Sequence, residues 1–243
     1  MMLNLDEGYM FGLGAFETIA VYHSKPLLLS YHLERLKKAL DFFCIKKEIY
    51  EEDVSNFISN NQIVDGVVKL MVSKENTTFT TRENHYTEKD YEKGFSLDFS
   101  KIKRNESSPL TYHKTMNYGD NILEKRLACT RNIDEPIFVN SKNEICEGAC
   151  SNLFFVKDRQ LFTPATSCGL LEGTLRRYIL TNYPVTETII HPDEIDTFDE
   201  AFVTNALMGI MPVSKFEDHT YSSREMTNEI LKKYHESMSF FLL

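Results

Sequence analysis

Hydrophobic residues in the first part of the chain follow two spacings, one helical and one extended. Leu33, Leu36, Leu40 and Phe43 recur every three or four residues, which predicts a helix over residues 31–43 with Ser30 as its N-cap. A second helix is predicted over residues 52–59. Runs rich in β-branched and aromatic residues predict strands. They cover residues 17–22, a short apolar stretch after the turn at 24–26, residues 66–73 and residues 95–99.

The chain changes character between Lys101 and Thr111, where polar residues and Pro109 interrupt the apolar periodicity. We take this stretch as the boundary between an N-terminal α+β lobe (residues 1–103) and a C-terminal lobe (residues 111–243), with residues 104–110 as the linker. Further along, the pattern predicts strands over residues 136–140, 151–156, 161–162 and 201–204. Helices are predicted over residues 121–131, after Gly173, and over residues 223–240.

The composition of the 243 residues is that of a globular protein, with 42% hydrophobic and 26% charged residues. The formal net charge of −9 argues against nucleic acid and anionic membranes as partners, because both are bound through clustered lysine and arginine. No apolar run approaches the roughly 20 residues of a membrane span, and the N-terminus lacks a signal-peptide pattern. We therefore expect a cytoplasmic protein.

Metal-binding patterns are weak in this chain. Its five cysteines include no Cys-x-x-Cys pair, so reduced thiols are expected and a zinc site is not. The acidic run between His191 and Glu200 is better interpreted as a solvated loop than as a metal cluster. We therefore predict no metal.

Three residues are candidates for chemistry, although each is weak on local grounds. Lys114 follows the linker and could provide an amine that forms a Schiff base, but a lone lysine is usually a solvated surface group. Glu147 follows a strand-like stretch and could equally be a turn carboxylate. Arg35, on the first predicted helix, could simply pair with Glu34 or Asp41.

Two turns could offer backbone donors to an anion. Gly173 and Thr174 open a helix, whose free N–H groups and dipole favour a phosphate. Asn205 and Ala206 end a strand and begin another turn. Ordinary helix starts look the same and most bind nothing, so neither turn assigns a ligand alone.

Seven motifs in order change this picture: FGLGAFETIAVY, HLERL, HKTMNYGDNILEKRLA, EICEGACSNLFFV, LFTP, GLLEGTLRR and TNALMGIMPV. Together they resemble the class IV pyridoxal-phosphate enzymes, the fold-type IV group of branched-chain and D-amino-acid aminotransferases and 4-amino-4-deoxychorismate lyases. The resemblance runs from about residue 6 to residue 213. It implies a two-lobed α+β enzyme, with a small N-terminal α/β lobe and a larger C-terminal lobe containing a mixed sheet or barrel.

The resemblance also implies pyridoxal 5'-phosphate as cofactor and a role for each matching residue. Lys114 falls at the Schiff-base lysine, Glu147 at the carboxylate beside the pyridine nitrogen, and Arg35 at the arginine that binds the phosphate. The other matches are cofactor-binding positions, namely Tyr118 lining the ring, Thr174 and Leu175 at a helix start, and Asn205 and Ala206 at a second phosphate-binding turn. Because Lys114, Glu147 and Arg35 are intact, a catalytically silent binding protein is disfavoured.

The stretch NALMGIMPV, residues 205–213, resembles the corresponding segment of 4-amino-4-deoxychorismate lyases, whereas aminotransferases more often end this turn in Thr-Pro-Val. We therefore expect pyruvate elimination that yields 4-aminobenzoate for folate synthesis. The alternative is an aminotransferase acting on branched-chain or D-amino acids. The anionic substrate requires cationic residues, and Lys74 and Arg82 are the candidates, although a solvated loop explains them equally well.

The family resemblance further implies a homodimer. Family members usually carry an additional strand before the FG motif, so a partner subunit is expected to cover the shorter N-terminal lobe. The apolar C-terminal stretch, residues 240–243, also requires cover. Glu17 occupies a position that varies between subgroups, which leaves the substrate pocket undefined.

Overall fold

A computed structural model describes residues 3–240 of the chain, and their side chains as far as Met238. The C-terminal residues 241–243, part of the apolar stretch noted above, lie outside the described residues. The chain forms two compact units. The first contains residues 3–85 and 113–118, and the second contains residues 86–112 and 119–240.

The first unit is an antiparallel sheet covered on one face by helices. Its elements are α1 (Glu7–Phe11), β1 (Gly14–Tyr22), β2 (Lys25–Pro26), α2 (Leu29–Phe42), α3 (Glu51–Asn60), β3 (Gly66–Ser73) and β4 (Thr77–Arg82). The strand order is β2-β1-β3-β4. Leu36 and Leu40 of α2 pack with Leu70 of β3, and Val54 of α3 packs with Ile19 of β1. The predicted apolar helix face is therefore buried.

Two predictions at the start of α2 are wrong. The N-cap is Leu28 and not Ser30, since the helix begins at Leu29. Leu28 has a φ of 52°, a left-handed conformation, and ends the preceding turn. The sequence does not predict this conformation, because leucine rarely adopts it. The predicted apolar strand after the turn is also wrong, because the strand that pairs with β1 is Lys25–Pro26, and residues 27–28 form a turn that leads directly into α2.

The second unit is built on one mixed sheet. Its elements are α4 (Glu88–Lys93), β5 (Phe95–Phe99), α5 (Gly119–Thr130), β6 (Glu135–Val139), β7 (Ile145–Gly148), β8 (Asn152–Lys157), β9 (Gln160–Pro164), α6 (Thr174–Asn182), β10 (Val185–Thr188), β11 (Glu200–Asn205), β12 (Gly209–Phe216), β13 (His219–Thr220) and α7 (Glu225–Phe240). The strand order is β10-β9-β8-β11-β12-β5-β6-β7, with β13 on β12. Its core includes Phe155, Val203 and Met211.

The units are divided differently from the predicted lobes. Strand β5, assigned to the N-terminal lobe from sequence, pairs in parallel with β6 and β12 of the second unit. Residues 113–118, assigned to the C-terminal lobe, belong to the first unit. Such pairings join segments that are distant in sequence, so a linker composition cannot reveal them.

Three findings concern classes of site. No helix among residues 3–240 is long and apolar enough to cross a membrane. None of the five cysteines, which all lie within residues 3–240, forms a disulfide. No group of three or more His, Cys, Asp or Glu residues in the described part of the chain could hold a metal ion.

Candidate functional site

Lys114 is positioned by backbone pairing with β1. The Phe16 N–H donates to the Lys114 carbonyl at 3.0 Å, and the Met116 N–H donates to the Gly14 carbonyl at 2.8 Å. These bonds flank an antiparallel bridge between Ala15 and Thr115. The pairing holds the backbone of Lys114 beside the rigid strand β1, and a catalytic side chain requires such a fixed backbone.

The Lys114 ammonium lies against two aromatic rings. Its Nζ is 4.5 Å from the Phe16 ring centroid and 5.0 Å from the Tyr118 ring centroid. The two rings meet edge to face, with centroids 5.1 Å apart. The predicted catalytic lysine and the predicted cofactor-lining tyrosine are therefore in contact, and the ring faces favour the cationic amine.

A second lysine, Lys69 of β3, shares the Phe16 ring. Its Nζ lies 4.7 Å from the ring centroid. Burial of the side chain lowers the pKa of Lys69, and the nearby Arg82 lowers it further. Lys69 is not among the residues predicted from the sequence. A signal for it exists, because Lys69 is the one charged residue in the apolar run of residues 66–72.

The two predicted substrate residues lie at opposite ends of the β3–β4 hairpin. Arg82 pairs with Val67 at one end, where its exposed guanidinium donates to the Glu83 carbonyl at 2.9 Å. Lys74 is exposed in the turn at the other end. The structure therefore brings Arg82 close to Lys69 and leaves Lys74 away from both.

Arg35 of α2 is paired with Glu17 of β1. Its Nε donates to Glu17 Oε1 at 2.8 Å, and its Nη2 donates to Glu17 Oε2 at 2.6 Å. From the sequence alone, Glu34 or Asp41 is the expected partner if Arg35 has no functional role. The actual partner comes from a strand 18 residues earlier, which helix periodicity cannot indicate.

In the second unit, Glu147 is a buried carboxylate on β7. Its Oε1 lies 3.0 Å from Arg104 Nη2, and its Oε2 accepts the Leu171 N–H at 3.0 Å. Arg104 packs over the Phe138 ring with its guanidinium carbon 4.0 Å from the centroid. The sequence analysis places Arg104 in the polar interdomain linker and assigns it no role, because a single sequence gives no sign that this arginine is paired with Glu147.

The start of α6 lies close to Glu147 and presents backbone donors. Leu171, which bonds Glu147, also accepts a hydrogen bond from Asn152 Nδ2 at 2.8 Å. Three residues later α6 begins at Thr174 with no side-chain cap. Thr174 and Leu175 are buried, and the first N–H groups of a helix have no intrahelical acceptor. Buried donors in this position suit an anion.

A second donor turn follows β11. Asn205 Oδ1 accepts the N–H groups of Leu207 and Met208, each at 2.9 Å, and its Nδ2 donates to the Cys150 carbonyl at 3.2 Å. The Asn205 side chain thus shapes the turn that contains Ala206. Thr204 pairs with Asn152 across the sheet, which places this turn near the start of α6.

The donor set fits pyridoxal phosphate. The second unit supplies a buried carboxylate for a ring nitrogen and, beside it, two sets of backbone donors for a phosphate. Thr204 Oγ1 is buried without a hydrogen-bond partner in the described part of the chain, so a polar acceptor is also accommodated here. The first unit, described by itself, contains an amine at Lys114 and a guanidinium at Arg35.

Comparisons with known proteins agree with this chemistry. The family model described as amino-transferase class IV matches residues 14–216. The aminodeoxychorismate lyase of Bacillus subtilis is 27% identical over 90% of this chain and 83% of its own. A D-alanine aminotransferase of Staphylococcus aureus is 25% identical over 96% of this chain and 92% of its own. The 4-amino-4-deoxychorismate lyase structure from Pseudomonas aeruginosa superposes with a TM-score of 0.88, at 24% identity, covering 97% of this chain and 95% of that one.

Proposed function

This chain belongs to the amino-transferase class IV family of pyridoxal-phosphate enzymes, and we propose that it is a 4-amino-4-deoxychorismate lyase. The predicted α+β, fold-type IV architecture is confirmed by the superposition. The proposed reaction eliminates pyruvate from 4-amino-4-deoxychorismate to leave 4-aminobenzoate, a precursor of folate.

The observation that carries the proposal is the sequence of the segment that contains the second donor turn. Residues 205–213, NALMGIMPV, run from the end of β11 through the turn into β12. The stretch that most resembles the lyases therefore begins at the turn to which we assign phosphate binding. The Bacillus subtilis relative supports the same activity. An aminotransferase acting on branched-chain or D-amino acids is the second candidate, because a D-alanine aminotransferase is 25% identical over 96% of this chain.

We assign the acid–base chemistry to Lys114. The bound cofactor supplies an electron sink for the substrate carbon that loses its proton. Lys114 Nζ would hold the cofactor, and it is the group that accepts the proton lost from C4 of the substrate. Breakage of the neighbouring ring C–O bond then releases enolpyruvate and leaves an aromatic ring, which drives the reaction forward. The proton that Lys114 accepted passes to the methylene carbon of the enolpyruvate, which gives pyruvate and restores the neutral amine.

The remaining cofactor contacts are assigned residue by residue. Glu147 would hold a proton on the ring nitrogen, and Arg104 stabilises the negative charge of that carboxylate. The N–H groups of Thr174 and Leu175 would donate to the phosphate, as would the turn at Asn205 and Ala206. Arg35 adds the cation that a phosphate dianion requires. Tyr118 packs beside Lys114 and lines the ring.

Substrate selection is assigned to Lys69 and Arg82. The substrate has two carboxylates, and these two cations lie on the face of the sheet that holds Phe16 and Lys114. Lys74 is given no role, since it lies at the far end of the hairpin.

We further propose a cytoplasmic homodimer. In the second unit, α5 buries the polar residues Asn121 and Glu124 and exposes the apolar residues Leu123 and Leu127. A surface helix of a monomer usually shows the opposite pattern, with apolar residues buried and polar residues exposed. A second copy would cover such a face. Buried free thiols such as Cys146 agree with a reducing compartment.

The test is release of 4-aminobenzoate, followed by its fluorescence after 4-amino-4-deoxychorismate is added to the protein loaded with pyridoxal phosphate. We expect turnover on the order of 0.1 to 10 per second. Lys114→Ala should abolish turnover, and the matched control Lys142→Ala, an exposed lysine in a turn, should not.

Two results would decide against the lyase. If no 4-aminobenzoate forms and an amino-acid donor converts the cofactor to its amine form, the protein is an aminotransferase. If Lys114→Ala turns over normally, Lys114 is not the catalytic lysine.

A further inference from the structure

A charged cluster lies inside the otherwise apolar interface between β1 and α2. Glu17 of β1 and His32 of α2 are both fully buried, and Arg35, one turn further along α2, is 14% exposed. The other residues on this face of β1 are Ala15, Ile19 and Val21, all buried. Glu17 is therefore a carboxylate in a hydrophobic layer.

The Glu17 carboxylate is held on both oxygens. Arg35 Nε donates to Oε1 at 2.8 Å, and Arg35 Nη2 donates to Oε2 at 2.6 Å. His32 Nδ1 lies 2.6 Å from the same Oε2. Burial alone would raise the pKa of Glu17, but the charge of Arg35 and the contacts with Arg35 and His32 lower it to about 2.

His32 acts in this cluster as a neutral donor. Burial lowers the pKa of His32, and the positive charges of Arg35 and Lys114 lower it further against the attraction of Glu17. A neutral ring beside an ionised carboxylate carries its proton on Nδ1 and donates it to Glu17. Its Nε2 has no hydrogen-bond partner among the described residues. His32 therefore fixes the orientation of the carboxylate without adding charge.

Fold stability alone does not account for this arrangement. The free energy needed to remove a buried ion pair from water is about as large as the electrostatic attraction between its members. Replacing such a pair by hydrophobic residues of similar volume is therefore often neutral or stabilising. The cluster does fix the plane of the Arg35 guanidinium, because a two-point contact along one edge leaves the group a single orientation. An arginine held in this way binds a second, planar or tetrahedral anion with less loss of conformational entropy.

We propose that Glu17 and His32 are positioning residues that orient Arg35 for a phosphate monoester dianion. This inference rests on the proposed function, in which Arg35 contacts the cofactor phosphate. Glu17 holds the guanidinium, and His32 holds Glu17. Neither residue touches the ligand, so their effect depends on the phosphate alone.

The experiment compares two probes that differ only in that group, pyridoxal phosphate and pyridoxal. Dissociation constants of both are measured with the full-length protein freed of cofactor, together with thermal unfolding. Partners that orient ligating groups change affinity by roughly 10- to 100-fold in metal sites. We expect Glu17→Gln to weaken pyridoxal phosphate at least about tenfold, with pyridoxal within about twofold of wild type.

Two further variants test the route through Arg35. Arg35→Ala should also lose the preference for pyridoxal phosphate over pyridoxal. Adding Glu17→Gln to Arg35→Ala should cause no further loss, because Glu17 acts on the phosphate only through Arg35. Glu34→Gln is the matched control, a neighbouring exposed glutamate on α2, and should change neither dissociation constant.

His32 provides an independent measurement if Glu17→Gln does not fold. His32→Asn keeps an N–H donor near Glu17 and should retain the phosphate preference, whereas His32→Leu should lose it. Equal weakening of both probes, or an unchanged ratio in folded Glu17→Gln, would overturn the inference. If wild type itself shows no preference for the phosphorylated probe, the assignment of Arg35 in the proposed function fails instead.

Discussion

At the scale of single residues, the half-buried Lys69 provides the sharpest test of substrate recognition. Lys69→Met retains the apolar stem but removes the charge beside Phe16. Loss of one charged contact to a carboxylate should raise KM for 4-amino-4-deoxychorismate by about 10- to 100-fold while leaving kcat nearly unchanged. Steady-state kinetics measures both constants. The control is Lys74→Met, at the far end of the hairpin, which should not change KM.

The lowered pKa of Lys69 adds a pH dependence to that test. A lysine binds an anion only while protonated, so KM should rise as the pH increases through the lowered pKa and should be constant below it. Lys69→Met should remove this alkaline rise. If the variant keeps the wild-type profile, the substrate contact lies elsewhere.

The pair formed by Arg104 and Glu147 predicts a large change in stability. Their side chains are 12% and 9% exposed, so Arg104→Met leaves a buried carboxylate without its cation. Breaking a buried pair in this way typically costs about 3 kcal/mol or more. Urea unfolding should show this loss, and Glu147→Gln in the same chain should recover much of it, since the unpaired charge is then gone. Equal stability of the single and double variants would contradict this account.

Single-residue chemistry was the part most open to prediction from sequence. Lys114, Glu147, Thr174 and Asn205 stand inside motifs whose order and spacing carry information. Arg104 stands outside every motif, and Glu17, although it lies inside FGLGAFETIAVY, has a partner on α2 that the motif does not indicate. Each residue is paired with one that is distant in sequence. A charged residue gives no sequence signal for burial when its neighbours in sequence are ordinary.

At the scale of elements, α1 depends on one carboxylate. Asp6 Oδ1 accepts the Tyr9 N–H at 3.2 Å as the N-cap, and Oδ2 accepts from Ser73 Oγ at 2.6 Å and the Glu75 N–H at 2.8 Å. Asp6→Ala should destabilise the protein by about 1 to 2 kcal/mol. Asp6→Asn, which still caps, should cost less in chemical unfolding experiments.

The Asp6 carboxylate should also make the stability of the protein depend on pH under acidic conditions. Burial opposes its ionisation, but the hydrogen bonds from Ser73, Glu75 and Tyr9 prevail and lower the pKa of Asp6 from 3.8 to about 2. A carboxyl with a lowered folded-state pKa stabilises the protein above its unfolded pKa, and this contribution is lost as the pH falls from about 4 to about 2. Stability of Asp6→Ala should therefore fall less steeply than wild type over that interval.

The β1–β2 turn can be improved. Its two central residues, His23 and Ser24, have φ values of 48° and 62°, a geometry that Asn-Gly adopts with less strain. The double substitution His23→Asn with Ser24→Gly should stabilise the protein by about 1 kcal/mol. Thermal unfolding measures the gain. The matched pair of alanines should give none, and a gain there would mean that backbone strain is not the cause.

Elements with strong periodicity were predicted well, and those without it were missed. Helix α3 and strands β3 and β5 lie within a residue or two of their predicted bounds. Strands β4 and β10 were not predicted, because their Thr-rich, exposed sequences lack the apolar alternation of a half-buried strand. Their pairing with an already formed neighbour determines their conformation.

At the scale of the whole molecule, α5 predicts how copies of the chain associate. Asn121 is buried and donates to the Ala149 carbonyl at 2.6 Å, and Glu124 is buried and accepts from Ser100 Oγ at 2.6 Å. The polar side of the helix is thus used within its own unit, while Leu123 and Leu127 are 54% and 51% exposed. Exposed leucines one turn apart form a stripe that a second copy can bury.

Charges in that stripe should separate the copies. Leu123→Glu with Leu127→Glu places two carboxylates from each chain in the interface, where desolvation and repulsion both oppose association. Sedimentation equilibrium should show wild type at twice the chain mass and the double variant at the chain mass. Ile189→Glu, an equally exposed apolar position of the same unit, should leave the wild-type mass unchanged. A wild-type monomer, or a double variant that keeps twice the chain mass, would show that α5 does not form the interface.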